Sequence, residues 1–216
     1  MTQLQFELQG RVRGADRAVL LAHGAGADMH AAALVAVADA LADARIPSLR
    51  FDFPYRSAGR RAPDRPAVLE AAVREAAAEL ARRTRLPTAR LVVGGRSMGG
   101  RYGSMVAADA DEPLAVLGLL LLGYPLHPAG KPQQLRVDHF PRVRVPCLFV
   151  SGTRDNLAGR DELTAATRAI RGRVTCHWLE SADHGFRPLK ASGRSSAEIL
   201  DEVARVTVEW VASLPD

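Results

Sequence analysis

Lysine is almost missing from this chain. Lys131 and Lys190 are the only lysines among 29 basic residues. The arginines that supply the rest are scattered among acids, with no basic block and no stripe of alternating aromatic and basic residues. The formal charge of +5 therefore reads as a solvated, arginine-biased surface, and nucleic-acid binding is not expected. Aromatic residues make up only 5% of the chain. There are two cysteines, Cys147 and Cys176, each inside a predicted strand and neither in a C-x-x-C or mixed Cys/His pattern. That excludes a disulfide framework and a thiolate metal site, and it predicts buried reduced thiols in a cytoplasmic protein. His30, His127, His139 and His177 lack metal-ligand spacing, so no metal is expected. Long apolar runs are also absent. The longest, residues 114–122, is far too short to span a bilayer, and the opening MTQLQFELQGRVRG has no apolar core of signal-peptide length. With no repeats, low-complexity segment or linker, the 216 residues predict one soluble domain over 1–216, without a membrane partner.

What the chain does have is a regular alternation of strand and helix patterns. Residues 5–12 alternate as a half-exposed edge strand would, and residues 18–22 (AVLLA) read as a buried strand. A helix is predicted over 31–44, a strand over 46–53, and a surface loop rich in Arg, Gly and Pro over 56–66. The next helix covers 67–85, with Val68, Ala72, Val73, Ala76 and Leu80 inward and Glu70/Arg74 and Glu79/Arg83 paired on the wet side. Further strands are predicted at 91–94, 114–123, 145–151 and 174–179, with helices over 98–109 and 160–170. The last helix opens with a capping box, Ser195 to Glu198, and has Ile199, Val203, Val206 and Trp210 on its apolar stripe. This order predicts an α/β fold with a mostly parallel sheet covered on both faces.

The residues able to do chemistry all follow the carboxyl ends of predicted strands, where such sheets bind ligands. Gly95-Arg96-Ser97-Met98-Gly99 is a G-x-S-x-G pentapeptide between a strand and a helix. A serine on so sharp a turn needs glycine on either side to avoid collision. The helix behind it aims N–H groups and a positive macrodipole end at developing negative charge. Asp155 and His184 follow later strands, giving the chain order Ser, Asp, His. His184 would remove the Ser97 proton, and Asp155 would fix the imidazole tautomer. Met98 and Ala25 are the expected oxyanion donors, the latter in the small-residue loop His23-Gly24-Ala25-Gly26. The rival readings are a turn aspartate for Asp155 and a loop histidine for His184, while Asp183 is a fallback acid poorly placed to reach its neighbour. His23 reads as a structural residue that orders its loop. Gly24, Arg96 and Tyr124 are weaker candidates for substrate contact. Arg96 and Arg101 flank the nucleophile, where either is able to meet an anionic substrate or to tie down a loop.

These segments resemble the α/β-hydrolase superfamily, in its small, lidless, dienelactone-hydrolase-like form. More narrowly, HGAGADM, FDFPYRSAGRRAPDRP, GGRSMGGR, GYPLHPAGKP, SGTRD and DHGF resemble the testis-expressed-protein-30-like family and its bacterial members. The resemblance runs from His23 to Phe186 and implies an α/β-hydrolase fold with Ser97, Asp155 and His184 in the triad positions. It does not imply a defined substrate; the site residues themselves predict a serine hydrolase acting on a small ester or thioester, with no metal or organic cofactor. The family also resembles a scaffold subunit of a chromatin-modifying complex, so a binding module without turnover is the alternative; a peptide or carbon–carbon bond hydrolase would use the same machinery. The segment between Tyr124 and Val145 is too short for a cap domain. Monomer and homodimer remain equally open.

Overall fold

Residues 4–215 are described in a computed structural model. The ends of the expected domain, residues 1–3 and 216, lie outside the described residues. Seven strands build one sheet: β1 (Gln5–Gln9), β2 (Ala18–Ala22), β3 (Ser48–Asp52), β4 (Leu91–Arg96), β5 (Gly118–Leu122), β6 (Cys147–Arg154) and β7 (Val174–Asp183). Their spatial order is β1-β3-β2-β4-β5-β6-β7. Only β1 runs antiparallel, against β3 at the sheet edge. The other pairs are parallel.

The apolar strands bury both faces, and the pleat sorts their side chains. Leu20, Val93, Leu119 and Phe149 enter one core, with Leu69, Val73 and Leu80 of α3 (Pro66–Thr84), Met98, Tyr102 and Val106 of α4 (Met98–Ala107), and Leu163 of α5 (Arg160–Thr167). Val19, Val92, Leu120 and Val150 enter the other, with Leu34, Val37 and Leu41 of α1 (Ala32–Asp43) and Ile199, Val203 and Trp210 of α6 (Ser196–Ala212). Burying each of these large side chains contributes roughly 1.5–3 kcal/mol. The predicted capping box starts α6: Ser195 Oγ accepts from Glu198 N–H at 3.2 Å, and Glu198 Oε2 accepts from Ser195 N–H at 2.7 Å. Among the described residues no helix is long and apolar enough to cross a membrane.

Several boundaries differ from the sequence reading. Residues 114–117 lead into β5 as irregular chain, because β4 begins only at Leu91, whose carbonyl accepts from Leu117 N–H, and the residues before have no strand to pair with. β7 runs on to Asp183 across a bulge opposite β6, which carries the strand directly to His184. Part of the expected 56–66 loop is helical: α2 (Pro54–Ser57) turns the chain after β3. The stripe of α3 holds at Ala72, Val73, Ala76 and Leu80 and differs only at its first member. Leu69 is buried, whereas Val68 is 43% exposed. The Glu79/Arg83 pair forms, with Arg82 joining it, but Arg74 turns to Asp109 and the Glu112 carbonyl instead of Glu70.

The path of the chain through this order locates a crevice. From β2 it passes to β3 on one side, and from β3 it crosses back to β4 on the other side. The reversal leaves an opening beyond the carboxyl ends of β2 and β4, where open α/β sheets take their ligands.

Candidate active site

Ser97 sits at that opening, on the single residue between β4 and α4. Its backbone is strained, at φ 48° and ψ −111°, a conformation that a non-glycine residue adopts only when the surroundings enforce it. Enforcement comes from both sides. Ser97 N–H donates to Leu122 O at 2.8 Å, and Ser97 O accepts from Arg101 N–H at 3.0 Å. The flanking glycines are required by packing against β2: a Cβ on Gly95 would lie 2.0 Å from Ala22 O, and one on Gly99 2.2 Å from the same atom.

The three residues separated by 58 and 29 positions in the chain converge. Ser97 Oγ lies 3.1 Å from His184 Nε2, and His184 Nδ1 lies 2.8 Å from Asp155 Oδ2. The Asp155 side chain is fully buried, while that of His184 is 23% exposed and faces the cleft. The second carboxylate oxygen of Asp155 accepts from Leu157 N–H at 2.8 Å, so the group is fixed from two directions. Asp183 is turned away and accepts from Arg187 N–H at 2.9 Å.

The loop after β2 is pinned by His23, which is completely buried. Its Nδ1–H donates to Gly24 O at 2.8 Å and its Nε2 accepts from Phe53 N–H at 3.1 Å. Burial pushes its pKa down, keeping the neutral tautomer that makes both bonds. Ala25 is thereby held beside Ser97, opposite the N-terminus of α4. Among the described residues, neither Ala25 N–H nor Met98 N–H donates to a protein acceptor. Both are available to a ligand oxygen.

Two lobes meet at Ser97, Ala25 and Leu157. One has a volume of about 730 Å³ and is bordered by Gly24, Arg96, His184 and Phe186. The other, about 400 Å³, is bordered by Met98, Arg101, Tyr102 and Arg136. Residues 63 and 64 also reach the smaller lobe, so the Arg- and Pro-rich loop borders the site. The connection between β5 and β6 contains only a 3-10 turn, Phe140–Arg142, and walls the same lobe with Pro125, Pro128 and Ala129.

Arg96 answers the choice left open by the sequence. Its Nη1 donates to Leu122 O and Gly123 O at 3.1 and 3.3 Å, and its guanidinium carbon lies 4.4 Å from the centre of the Phe186 ring. It clamps the end of β5 to the loop carrying His184. Burial lowers its pKa to about 10, against the raising effect of Asp155 and Asp183, so it stays charged at neutral pH.

Tyr124 is a correction. It was expected to contact substrate, yet it is fully buried among Phe140 and Phe149 and borders neither lobe. A tyrosine directly after a strand end turns inward here because its ring completes the core under the connection. Its hydroxyl donates to Arg136 O at 2.6 Å. Arg136 and Leu157 were missed. Leu157 is signalled by its position two residues after Asp155, whereas nothing local marks Arg136.

Beneath the smaller lobe, His139 is buried with its Nε2 2.8 Å from Ser104 Oγ. Burial first, then the charges of Arg101 and Arg142, push its pKa to about 4, with Asp138 opposing. Unfolded, the imidazole titrates near 6.5. Between those values the unfolded chain holds more protons, so stability falls as pH is lowered from about 6.5 to about 4, by about 3 kcal/mol from this group. Urea unfolding midpoints across that range are expected to drop in the wild type and to drop distinctly less in His139→Gln; parallel curves for the two proteins would contradict this.

Among the described residues no group of three His, Cys, Asp or Glu side chains is placed to hold a metal ion. Both cysteines are free thiols; Cys147 is buried and pushed up to about 12 by burial, and Cys176 is half-buried.

Residues 15–212 match the family model described as an alpha/beta hydrolase domain. Solved structures share the fold at low identity. An alpha-beta serine hydrolase homologue from Coxiella burnetii aligns with a TM-score of 0.72 at 18% identity, over 95% of this chain and 92% of that one. The dienelactone hydrolase from Anabaena variabilis gives 0.71 at 22%, over 99% and 93%. The Xanthomonas campestris protein XC6422, a serine hydrolase without a lid, gives 0.67 at 20%, over 98% and 91%. With the family model spanning nearly the whole chain, this protein belongs to the α/β-hydrolase family.

Proposed function

We propose that the protein is a serine hydrolase that cleaves a small carboxylic ester or thioester through an acyl-enzyme on Ser97. The observation that carries this reading is the continuous relay from Ser97 Oγ through His184 to Asp155, at 3.1 and 2.8 Å. His184 Nε2 takes the Ser97 proton as Oγ attacks the carbonyl carbon. The carbonyl π electrons move to oxygen, and that oxyanion is received by the N–H groups of Met98 and Ala25. When the carbon–leaving-group bond breaks, the imidazolium gives its proton to the departing alkoxide or thiolate. Water then repeats the sequence on the acyl-enzyme, releasing the acid and restoring Ser97. Asp155 accepts from Nδ1–H throughout and favours the imidazolium. No metal or organic cofactor enters these steps.

An irreversible fluorophosphonate probe tests whether Ser97 is activated. Labelling of the wild type, lost in Ser97→Ala and reduced at least about a hundredfold in rate in His184→Ala, is the expected result. A folded wild-type protein that takes up no label would transfer the protein to a binding or scaffolding role.

A further inference from the structure

The smaller lobe contains two cations without a counter-ion. Arg101 stands one helical turn beyond Ser97, with its guanidinium carbon 5.2 Å from the centre of the Tyr102 ring. Arg136 enters from the β5–β6 connection. Among the described residues neither guanidinium makes an ion pair or a hydrogen bond, and Arg101 Nε is buried without a partner. Other sheltered arginines do have partners: carboxylates for Arg50 (Glu7), Arg56 (Asp28), Arg83 (Glu79) and Arg194 (Glu202), and backbone carbonyls for Arg96. Among the described residues the one carboxylate on the lobe is Asp64, whose Oδ1 is bound at 2.7 Å to Arg60, a residue that does not border the lobe, and whose Oδ2 is buried without a hydrogen-bond partner.

The backbone that carries each cation is held in place. Arg136 N–H donates to Leu126 O at 2.8 Å, and its carbonyl accepts from the buried Tyr124 hydroxyl. Arg101 O accepts from Ser104 Oγ at 2.7 Å. Burial, and then the charge of Arg101, lower the pKa of Arg136. Two half-buried like charges without a partner are unfavourable in the empty protein, and a ligand anion would relieve that cost. A guanidinium fork matches the planar carboxylate bidentately.

The chemistry assigns the lobe its side of the scissile bond. His184 must reach the leaving group, and it borders only the larger lobe. The acyl chain then extends past Met98 and Ala25 into the smaller one. We infer that the smaller lobe is an acyl pocket for half-esters or half-thioesters of dicarboxylic acids, with Arg101 and Arg136 binding the remote carboxylate. This assignment rests on the acyl-enzyme reading of Ser97.

The test compares the mono-para-nitrophenyl ester of adipic acid with para-nitrophenyl hexanoate, equal in chain length and different in the terminal charge. The wild type is expected to favour the half-ester by about tenfold or more in kcat/KM. Arg136→Gln and Arg101→Gln are each expected to reduce that preference about tenfold, mainly through KM. Adipate is expected to slow fluorophosphonate labelling of Ser97 at concentrations where hexanoate does not. Equal turnover of the two esters by the wild type, or a preference retained in both folded variants, would overturn the pocket assignment and leave the hydrolase reading intact. Absence of both labelling and turnover would remove the acyl-enzyme reading and the acyl pocket with it. Arg136→Gln lies on a surface connection, so its result stands even if Arg101→Gln disturbs α4.

Discussion

Replacing Ser97 with alanine is expected to lower kcat/KM on an activated ester by about five to six orders of magnitude, and His184→Ala by a similar factor. The two act as one unit: without the imidazole the hydroxyl keeps its proton, and without the hydroxyl the imidazole has nothing to activate. The double variant should therefore be scarcely worse than either single one, leaving the residual rate that the Met98 and Ala25 amides and the cleft supply. Asp155→Asn is the more informative change. Leu157 N–H needs an acceptor at 2.8 Å, so the new amide oxygen is held there and its NH2 faces His184 Nδ1. That NH2 forces Nδ1 to accept, moves the ring proton to Nε2, and leaves nothing to take the Ser97 proton. A loss of about four orders of magnitude with little change in KM is expected. Initial rates, measured with circular dichroism to confirm folding, decide it. Losses of Ser97→Ala and His184→Ala that add in the double variant, or near-full activity in Asp155→Asn, would show that the three do not act as a relay.

Much of this site was legible before any coordinates, because each of its parts leaves a local trace. Short apolar runs ending in Gly24, Ser97, Asp155 and His184 mark strand ends, and parallel strands place their ends on one rim. Where the reading failed, the deciding interaction was distant in sequence. Val68 and Leu69 both suit a helix stripe; which one faces inward depends on how α3 lies across the sheet, and composition does not contain that angle. Residues 114–117 are as apolar as β5, but the strand they would lengthen has no neighbour there, since β4 begins only at Leu91. Tyr124 sits where a substrate-binding residue is often found, and its direction is set by Phe140 and Phe149, one of them far along the chain. Arg136 belongs to a proline-rich connection with no periodicity; only the tertiary fold brings it to the lobe that Arg101 borders.

Gly99→Ala and Gly95→Ala are expected to be the most destabilising single-methyl additions near the site. In each the new Cβ would meet Ala22 O, at 2.2 and 2.0 Å, and Gly95 also holds φ at +137°. Ala22 closes the β2–β4 ladder through its pairing with Gly95, so neither backbone is free to retreat without opening the centre of the sheet. An added core methylene commonly costs about 1–3 kcal/mol through strain. Here the obstacle is backbone hydrogen-bonded on both sides, and about 4 kcal/mol or more is expected, lowering the Tm by roughly 10 °C for a domain of this size. Gly14 is the control: its φ is +81° but nothing lies within 4 Å of its Cβ position, so alanine there should cost only about 1–2 kcal/mol. The same displacement has a functional reading. Ala22 leads directly into His23 and the loop of Ala25, while Gly99 follows Met98, so pushing β2 from α4 widens the gap between the two amides proposed to receive the oxyanion. Any Gly99→Ala protein that remains folded below its lowered Tm should therefore lose kcat more than KM rises. Thermal unfolding and ester kinetics on one preparation measure both effects. A Gly99→Ala protein as stable as Gly14→Ala would mean that β2 and α4 are less tightly opposed than the Ala22–Gly99 approach requires.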